Sequence, residues 1–187
     1  MLKKIGLGIL LLVLIILVSF IFLSTSKQIH WLDIDSDNIE ERFELSSGQL
    51  QIWKQEQLVF ASEIAYNVNH FTYGDANNDG RAELLVGFWR IGDYGIDNNY
   101  ARKRRDPLAS YHLYQYQYQP DARVFRLIWG SSTLNDPLYS FSLIESGTDN
   151  NILRVTTGSY QDYDNRGKIT PINTSDWIWD QWYFKEI

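Results

Sequence analysis

Hydrophobic residues follow two different patterns along the chain. Residues 5–23 (IGLGILLLVLIILVSFIFL) form one unbroken apolar run without a charged residue. Beyond residue 30, apolar and aromatic residues occur in short runs separated by Gly, Asn, Asp and Ser, a pattern typical of β-strands joined by turns. This pattern predicts strands at residues 42–45, 49–54, 57–61, 67–73, 83–89, 111–119, 123–129, 138–144, 152–158 and 176–184.

Local signals support these strands. Ser47-Gly48 is a turn sequence between the first two runs. Residues 112–118 alternate in character, as a half-buried strand should. The alternation places four side chains on one face of that strand, namely His112, Tyr114, Tyr116 and Tyr118. We therefore expect residues 28–187 to form one all-β domain.

The apolar run is long enough to cross a membrane. As a helix, residues 5–23 would extend ~28 Å, about the thickness of the hydrocarbon core. Lys3 and Lys4 precede the run, so the positive-inside rule places the N-terminus in the cytoplasm and residues 28–187 outside the cell membrane. We expect residues 1–27 to form a cytoplasmic stub, a single-pass anchor and a short linker. The alternative is a secretory signal cleaved near Ser24-Thr25-Ser26, which would release the domain.

Acidic loops recur at equivalent places in the chain. Residues 33–41 (DIDSDNIEE) and 75–83 (DANNDGRAE) both read D-x-[DN]-x-D-[GN]-x-x-E and start 42 residues apart. Each precedes a predicted strand, a polar connection and two further strands. A third, degenerate copy begins at Glu145, with Gly147 and Leu153 at its third and ninth positions. The sequence is therefore organised in repeated units.

The spacing of these acidic residues suits Ca²⁺, a hard cation that takes six to eight oxygen ligands from a tightly bent segment. Gly80 in the second loop, and Asn38 in the first, are residue types that tolerate the positive φ such a bend requires. The expected ligands in the second loop are Asp75, Asn77, Asp79, the carbonyl of Arg81 and Glu83. In the first loop they are Asp33, Asp35, Asp37, the carbonyl of Ile39 and Glu41.

These loops differ from an EF-hand, which requires a bidentate Glu at loop position twelve and flanking helices. Position twelve of the second loop is Val86, which excludes an EF-hand there. In the first loop it is Glu44, so either Glu41 or Glu44 could close the shell. The strand-like residues 49–54 argue against a helix, and Glu41 matches Glu83.

Residues 74–84 (GDANNDGRAEL) fit the pattern G-D-x-N-x-D-G-x-x-[DE]-L. On this motif the chain resembles the FG-GAP or VCBS-type repeats of integrin-α-like β-propellers, in the form found in bacterial exported proteins. A Trp at position 89 and the sequence W-G-S-S at residues 129–132 extend the likeness. The resemblance covers residues 31–187 and implies four-stranded antiparallel blades with Ca²⁺ in the loop between their first two strands.

The number of repeats departs from that family. A closed propeller needs roughly four to eight blades, whereas two blades and a partial third fit this chain. The resemblance therefore predicts two to three propeller-like blades, either as an open stack or as part of a ring that a second copy completes.

Composition narrows the class of partner. All 23 acidic residues lie beyond residue 28, while three of the 17 basic residues precede it, which leaves about −9 on the predicted exported part. This charge argues against nucleic acid, which is bound through clustered Lys and Arg, and favours divalent cations. The basic run at 102–105 falls in a predicted surface loop, with contact to an anionic polymer or lipid headgroup as the alternative. Without Cys, the domain forms no disulfide.

The expected function is a membrane-anchored, extracytoplasmic, calcium-binding interaction or adhesion module whose partner is a protein or a cell-surface glycan. The sequence lacks G-x-S-x-G and H-E-x-x-H motifs and any Cys nucleophile, so we expect no enzymatic activity. Two alternatives stay open. One is an exported hydrolase, and the other is a carbohydrate-binding surface built from the C-terminal aromatic residues Trp177, Trp179 and Trp182.

Overall fold

A computed structural model describes residues 27–91, 108–147 and 150–187. The predicted anchor at residues 5–23 and the basic run at 102–105 lie outside these ranges. The described part of the chain contains no helix long and apolar enough to cross a membrane. Its elements are β1 (Gln28–Leu32), β2 (Glu41–Ser46), β3 (Gln49–Lys54), β4 (Gln57–Ala61), β5 (Asn67–Gly74), β6 (Glu83–Ile91), β7 (Ala109–Gln119), β8 (Val124–Gly130), β9 (Leu138–Ile144), β10 (Ile152–Thr157), α1 (Tyr160–Arg166), β11 (Asn173–Asp180) and β12 (Tyr183–Glu186).

The strands form three antiparallel four-stranded sheets, and each sheet contains four strands that are consecutive in the chain. Sheet 1 is β1–β4, sheet 2 is β5–β8 and sheet 3 is β9–β12. Each therefore is a meander in which every strand pairs with its sequence neighbour. The expectation of an all-β domain is confirmed, and the third repeat that begins near Glu145 has a complete sheet of its own.

Tight turns set the register of these meanders. Ser47 and Gly48 both have positive φ (52° and 75°) between β2 and β3, as a two-residue hairpin turn requires. The turns that follow the third strand of each sheet also share a feature, since each contains one non-glycine residue with φ between 52° and 60°. These residues are Gln55, Arg123 and Gln181. The first and third of these turns have two residues with positive φ at the first, whereas the β7–β8 turn has four residues with positive φ at the last.

Three elements differ from the prediction. β1 was not predicted, because its sequence QIHWL is short and mostly exposed. A single strand at 176–184 is wrong, since Gln181 and Trp182 form a turn between β11 and β12. Helix α1 was also missed: it has seven residues, is capped by Ser159, and buries only Tyr160, so it leaves no helical period in the sequence.

Sheet 2 lies between the other two sheets, and its strand β6 is buried on both faces. Leu84, Val86 and Phe88 pack toward sheet 1, whereas Leu85 and Trp89 pack toward sheet 3. Because both faces of β6 are covered, its sequence is a continuous apolar run with no alternation. Tyr114, Tyr116 and Tyr118 share one face of β7, as the alternation predicted, and pack in or against the core toward sheet 1. The expectation of a half-buried strand is wrong, because Tyr111 and Leu113 on the other face are fully buried toward sheet 3.

The two end sheets turn mainly polar side chains outward. On sheet 3, Arg154 forms a bidentate ion pair with Asp176 at 2.8 and 2.9 Å, and Thr156 Oγ1 lies 3.0 Å from Thr174 Oγ1. The outward side of sheet 1 carries Arg42, Glu44, Ser46, Gln49 and Gln51, together with the exposed hydrophobic residues Ile29 and Trp31. Terminal units of a repeat stack need a polar outer face. The outer faces of the two end sheets are thus mainly polar.

Sheets 2 and 3 approach closely at Gly87. A Cβ placed there would collide with the Tyr111 hydroxyl and would lie 2.7 Å from the Phe141 ring. The same hydroxyl donates a hydrogen bond of 2.7 Å to Asn69 Oδ1. Glycine at position 87 therefore permits both the contact between the sheets and the hydrogen bond of a fully buried tyrosine.

We predict that Gly87→Ala lowers the free energy of unfolding by about 1–3 kcal/mol, because overpacking forces Tyr111 and Phe141 out of place. Chemical denaturation of the full-length chain in a mild detergent measures the change. Ser142→Ala, on the exposed outer side of β9, is the control and should stay within about 0.5 kcal/mol. Equal stability of Gly87→Ala and the wild type would show that the sheets are not tightly packed at this point.

Candidate metal sites

The acidic loops lie together at one end of the molecule. Loop 1 (residues 33–40), loop 2 (75–82) and loop 3 (145–151) each join the first and second strands of a sheet. Tyr73 Oη donates to the Ile34 carbonyl at 2.8 Å and links sheet 2 to loop 1. Asn151 Nδ2 donates to the Asp75 carbonyl, also at 2.8 Å, and links loop 3 to loop 2. The three loops therefore form one connected surface.

Loop 2 is folded around the carboxylate of Asp75. Its Oδ1 accepts from the Asp79 N–H at 3.1 Å and its Oδ2 accepts from the Gly80 N–H at 3.0 Å. Asp79 Oδ1 in turn accepts from the Arg81 N–H at 2.9 Å. These bonds bend the segment into a tight loop, although the carboxylates of Asp75, Asp79 and Glu83 do not form a group within 4.8 Å as those of loop 1 do.

Loop 1 repeats these three hydrogen bonds. Asp33 accepts from the fifth and sixth residues of the loop, Asp37 and Asn38, at 3.3 and 2.9 Å, and Asp37 Oδ1 accepts from the Ile39 N–H at 2.8 Å. Positive φ also recurs at the fourth and sixth positions of both loops, at Ser36, Asn38, Asn78 and Gly80. The nine-residue repeat in the sequence thus corresponds to one repeated loop conformation.

The ninth residue of each motif is a buried glutamate. Glu41 and Glu83 are each the first residue of the second strand, and both are 0% exposed. Their Oε2 atoms accept from the N–H of the second loop residue, Ile34 at 2.9 Å and Ala76 at 3.0 Å. Glu44 instead forms an ion pair with Lys27 at 2.8 Å, away from the loop. The structure therefore brings Glu41, and not Glu44, into loop 1.

The two loops differ in the residue that faces this glutamate from the third strand. In sheet 2, Glu83 pairs in register with Gln117, whose Nε2 lies 3.2 Å from Glu83 Oε1. In sheet 1, Arg42 pairs with Trp53, so the next residues along the two strands, Glu41 and Lys54, lie side by side. The Lys54 ammonium is 2.7 Å from Glu41 Oε1. One loop therefore faces a positive charge and the other a neutral amide.

The Lys54 ammonium lies among the carboxylates of loop 1. Besides Glu41, it contacts both oxygens of Asp35 at 2.9 and 3.0 Å and Asp37 Oδ2 at 2.8 Å. Burial opposes the charge, but hydrogen bonds to Asp37, Glu41 and Asp35 outweigh it and hold the pKa of Lys54 above its usual value. The hydrogen bond from Lys54 likewise holds the pKa of Asp37 below its usual value. The inside of loop 1 therefore holds the positive charge of the Lys54 ammonium.

The donor set of both loops fits a hard cation, because every side-chain donor is a carboxylate or amide oxygen. In loop 1, carboxylate oxygens of Asp33, Asp35 and Asp37 lie within 4.8 Å of one another. In loop 2 the residue corresponding to Asp35 is Asn77. Its Oδ1 accepts from the Asp79 N–H at 2.9 Å, and its Nδ2 donates to Asp79 Oδ2 at 3.3 Å.

Loop 2 leaves a buried carboxylate that is poorly compensated. Burial is the main cause that raises the pKa of Glu83 to about 7, and the nearby charges of Asp79 and Asp75 add to it. The hydrogen bonds from Ala76 and Gln117 act in the opposite direction but are weaker together. Since a charge buried without a partner is costly, this position favours either a proton or a bound cation.

Loop 3 lacks the closing carboxylate. Ile152 pairs with Ile144 in sheet 3 as Glu83 pairs with Gly74 in sheet 2. The closing position of loop 3 is therefore Ile152, and the sequence-based assignment of Leu153 is wrong. Asn151 joins the loops instead, because its N–H donates to Asn78 Oδ1 at 2.6 Å. Loop 3 therefore supports loop 2 and offers no equivalent donor set in its described residues.

The aromatic residues of the alternative carbohydrate surface have different environments. Trp177 and Trp179 are partly buried, and the Trp179 ring packs edge-on against Trp129 and Phe184 at 5.7 and 5.1 Å between centroids. Trp182, in the turn between β11 and β12, is 69% exposed. The structure therefore uses Trp179 for packing and leaves Trp182 at the surface.

Comparisons of the chain with protein-family models, curated proteins and solved structures find no match. The resemblance to FG-GAP and VCBS repeats therefore stays a prediction.

The raised pKa of Glu83 predicts a pH dependence in the metal-free protein. The folded state holds the proton up to about pH 7, whereas a glutamate in the unfolded chain loses it near 4.5. The contribution of Glu83 to stability is thus present below about pH 4.5 and is lost as the pH rises through 7, by about 1–3 kcal/mol. With chelator present, Glu83→Gln should remove this loss and be the more stable protein at pH 8.

Denaturant unfolding of the wild type and Glu83→Gln from pH 4.5 to 8.5 measures the difference between the two pH profiles. Glu186→Gln, at an exposed position of β12, controls for the general effect of removing a carboxylate. Parallel profiles for the wild type and Glu83→Gln would contradict the account of this buried carboxyl group.

Proposed function

We propose that loop 2 binds one Ca²⁺ through Asp75, Asn77, Asp79, the carbonyl of Arg81 and Glu83. The observation that carries the proposal is made in loop 1, where the Lys54 ammonium lies among carboxylates at 2.7 to 3.0 Å. Loop 2 has the same backbone conformation and a buried glutamate at the same position. These shared features support a cation site in loop 2, with the neutral Gln117 at the position of the ammonium.

The charges around loop 2 support a divalent ion. Asp75, Asp79 and Glu83 are three carboxylates in one short loop, and in the described part of the chain no Lys or Arg side chain forms a salt bridge with them. Ca²⁺ accepts irregular shells of oxygen ligands at ~2.3–2.6 Å, whereas Mg²⁺ demands near-ideal octahedral geometry. A loop that offers both side-chain and carbonyl oxygens suits the larger ion.

In this proposal the ion is structural. It neutralises the first residue of β6, the strand that packs against both neighbouring sheets, and it draws Asp75 and Asp79 toward that residue. Asn151 joins loop 2 to loop 3, so an ordered loop 2 also fixes the contact between sheets 2 and 3. Calcium binding therefore stabilises the whole surface formed by the three loops.

We further propose that this surface is the interaction face of a membrane-anchored, extracytoplasmic module. β1 starts at Gln28, directly after the predicted anchor and linker, and pairs with Leu45 near the Ser47-Gly48 turn. The strand then runs toward loop 1, so the loops lie at the end away from the anchor. Such an orientation presents the calcium loops to a protein or glycan outside the cell, and it makes the ion a condition for recognition.

The test is the effect of calcium on stability. We predict that millimolar Ca²⁺ raises the melting temperature of the full-length protein by several degrees and that chelator reverses the rise, since an ion at a hundred times its Kd contributes about 2.7 kcal/mol. Asp75→Asn and Asp79→Asn each remove a charge and keep one of the two oxygens that accept loop hydrogen bonds, and each should abolish most of the rise.

Asp136→Asn, at the opposite end of sheet 3, is the matched control and should respond to calcium as the wild type does. Elemental analysis of the dialysed protein provides the independent readout of bound metal. An unchanged melting temperature in calcium and in chelator, with no bound metal, would overturn the proposal.

A further inference from the structure

The residue on the third strand that faces the closing glutamate is positively charged in sheet 1 and neutral in sheet 2. Glu41 faces Lys54 and Glu83 faces Gln117 at equivalent positions of their sheets. Both side chains hydrogen-bond Oε1 of the glutamate, at 2.7 and 3.2 Å. The same position therefore holds a full positive charge in sheet 1 and none in sheet 2.

Lys54 is held firmly inside loop 1. Its side chain is 15% exposed, while the three acidic side chains that it contacts, Asp35, Asp37 and Glu41, are 16%, 38% and 0% exposed. An ammonium group has three N–H donors and no acceptor, and three separate carboxylates are within hydrogen-bond distance. The ammonium is thus fully coordinated by the residues at motif positions three, five and nine.

Those are the positions that would supply side-chain ligands to a metal. A calcium ion needs the same oxygens at shorter distances, ~2.3–2.6 Å, so ion and ammonium compete for one space. Binding calcium in loop 1 would require Lys54 to leave a site in which each of its donors has a carboxylate partner. Loop 2 has no such competitor. The amide of Gln117 carries no charge, and among the proposed ligands it hydrogen-bonds only Glu83.

We infer that the Lys54 ammonium is the permanent cation of loop 1, and that the residue facing the closing glutamate determines which loop takes calcium. Loop 1 is then a metal-independent version of loop 2, and the wild-type chain binds one calcium ion. The inference about loop 2 rests on the proposed function, whereas the assignment of Lys54 to loop 1 does not.

Exchange of the two side chains tests this directly. In full-length protein in detergent, isothermal titration with CaCl₂ and elemental analysis after dialysis should give one bound ion for the wild type and two for Lys54→Gln. Gln117→Lys should bind none, because it places an ammonium in loop 2, and the double exchange should bind one. Lys185→Gln, which removes an exposed lysine of β12, should bind one ion like the wild type.

A second variant separates binding from folding. Lys54→Met keeps the apolar stem without the charge, and it should also gain the second ion. In chelator both Lys54 variants should melt at a lower temperature than the wild type, and calcium should restore them, since the metal replaces the missing ammonium.

The outcomes distinguish the inference from the proposed function. Two ions bound to the wild type would overturn the inference and leave calcium binding intact. The same holds if the wild type and both Lys54 variants each bind one ion. No ion in the wild type but one in Lys54→Gln would support the role of Lys54 and overturn calcium binding by loop 2. No ion in any of these proteins would overturn both.

Discussion

Two buried glutamates, Glu41 and Glu83, impose the constraint on which the loop end of this protein depends. Each is the first residue of a central strand, fully removed from solvent, and each accepts a hydrogen bond from the loop that precedes it. A carboxylate in such a position requires a compensating positive charge or a proton. In sheet 1 the charge comes from Lys54 on the neighbouring strand, and in sheet 2 we propose that it comes from calcium.

This requirement connects the loops to the packing of the sheets. Sheet 2 is the centre of the stack, and its loop is tied to loop 3 by Asn151, while Tyr73 at the end of β5 reaches the backbone of loop 1. Loop 2 is therefore the place where the state of one site affects contacts to both neighbouring sheets. With an ammonium in loop 1 and the calcium that we propose in loop 2, we expect the central sheet to be the one that responds to calcium.

Much of this arrangement could be predicted from the sequence, because strands and loops each have a local signal. The alternation of Tyr114, Tyr116 and Tyr118 predicted that these side chains share one face of β7. The nine-residue repeat located two loops with the same conformation. The elements that were missed lack such a signal: β1 is short and exposed, and α1 has fewer than two turns. The contacts between sheets, such as that at Gly87, depend on tertiary packing and have no periodicity to reveal them.

The role of Lys54 was missed for a different reason, since it lies outside the repeated motif. Its position could have been found from the two-residue turn at Ser47-Gly48. Glu41 and Lys54 are equally far from this turn in sequence, so the hairpin places them opposite each other. The same reasoning fails for Gln117, because a long connection separates it from Glu83. Motif comparison identifies ligands that are close in sequence, but the residue that completes a site comes from strand pairing.

The most direct test of the central claim is a crystal structure grown with Ca²⁺, with the ion located by its anomalous scattering. The account predicts one anomalous peak inside loop 2, within ~2.3–2.6 Å of oxygens from Asp75, Asp79 and Glu83, and an ammonium still bound to Asp35, Asp37 and Glu41 in loop 1. A peak in loop 1 with Lys54 displaced, or no peak in loop 2, would contradict it.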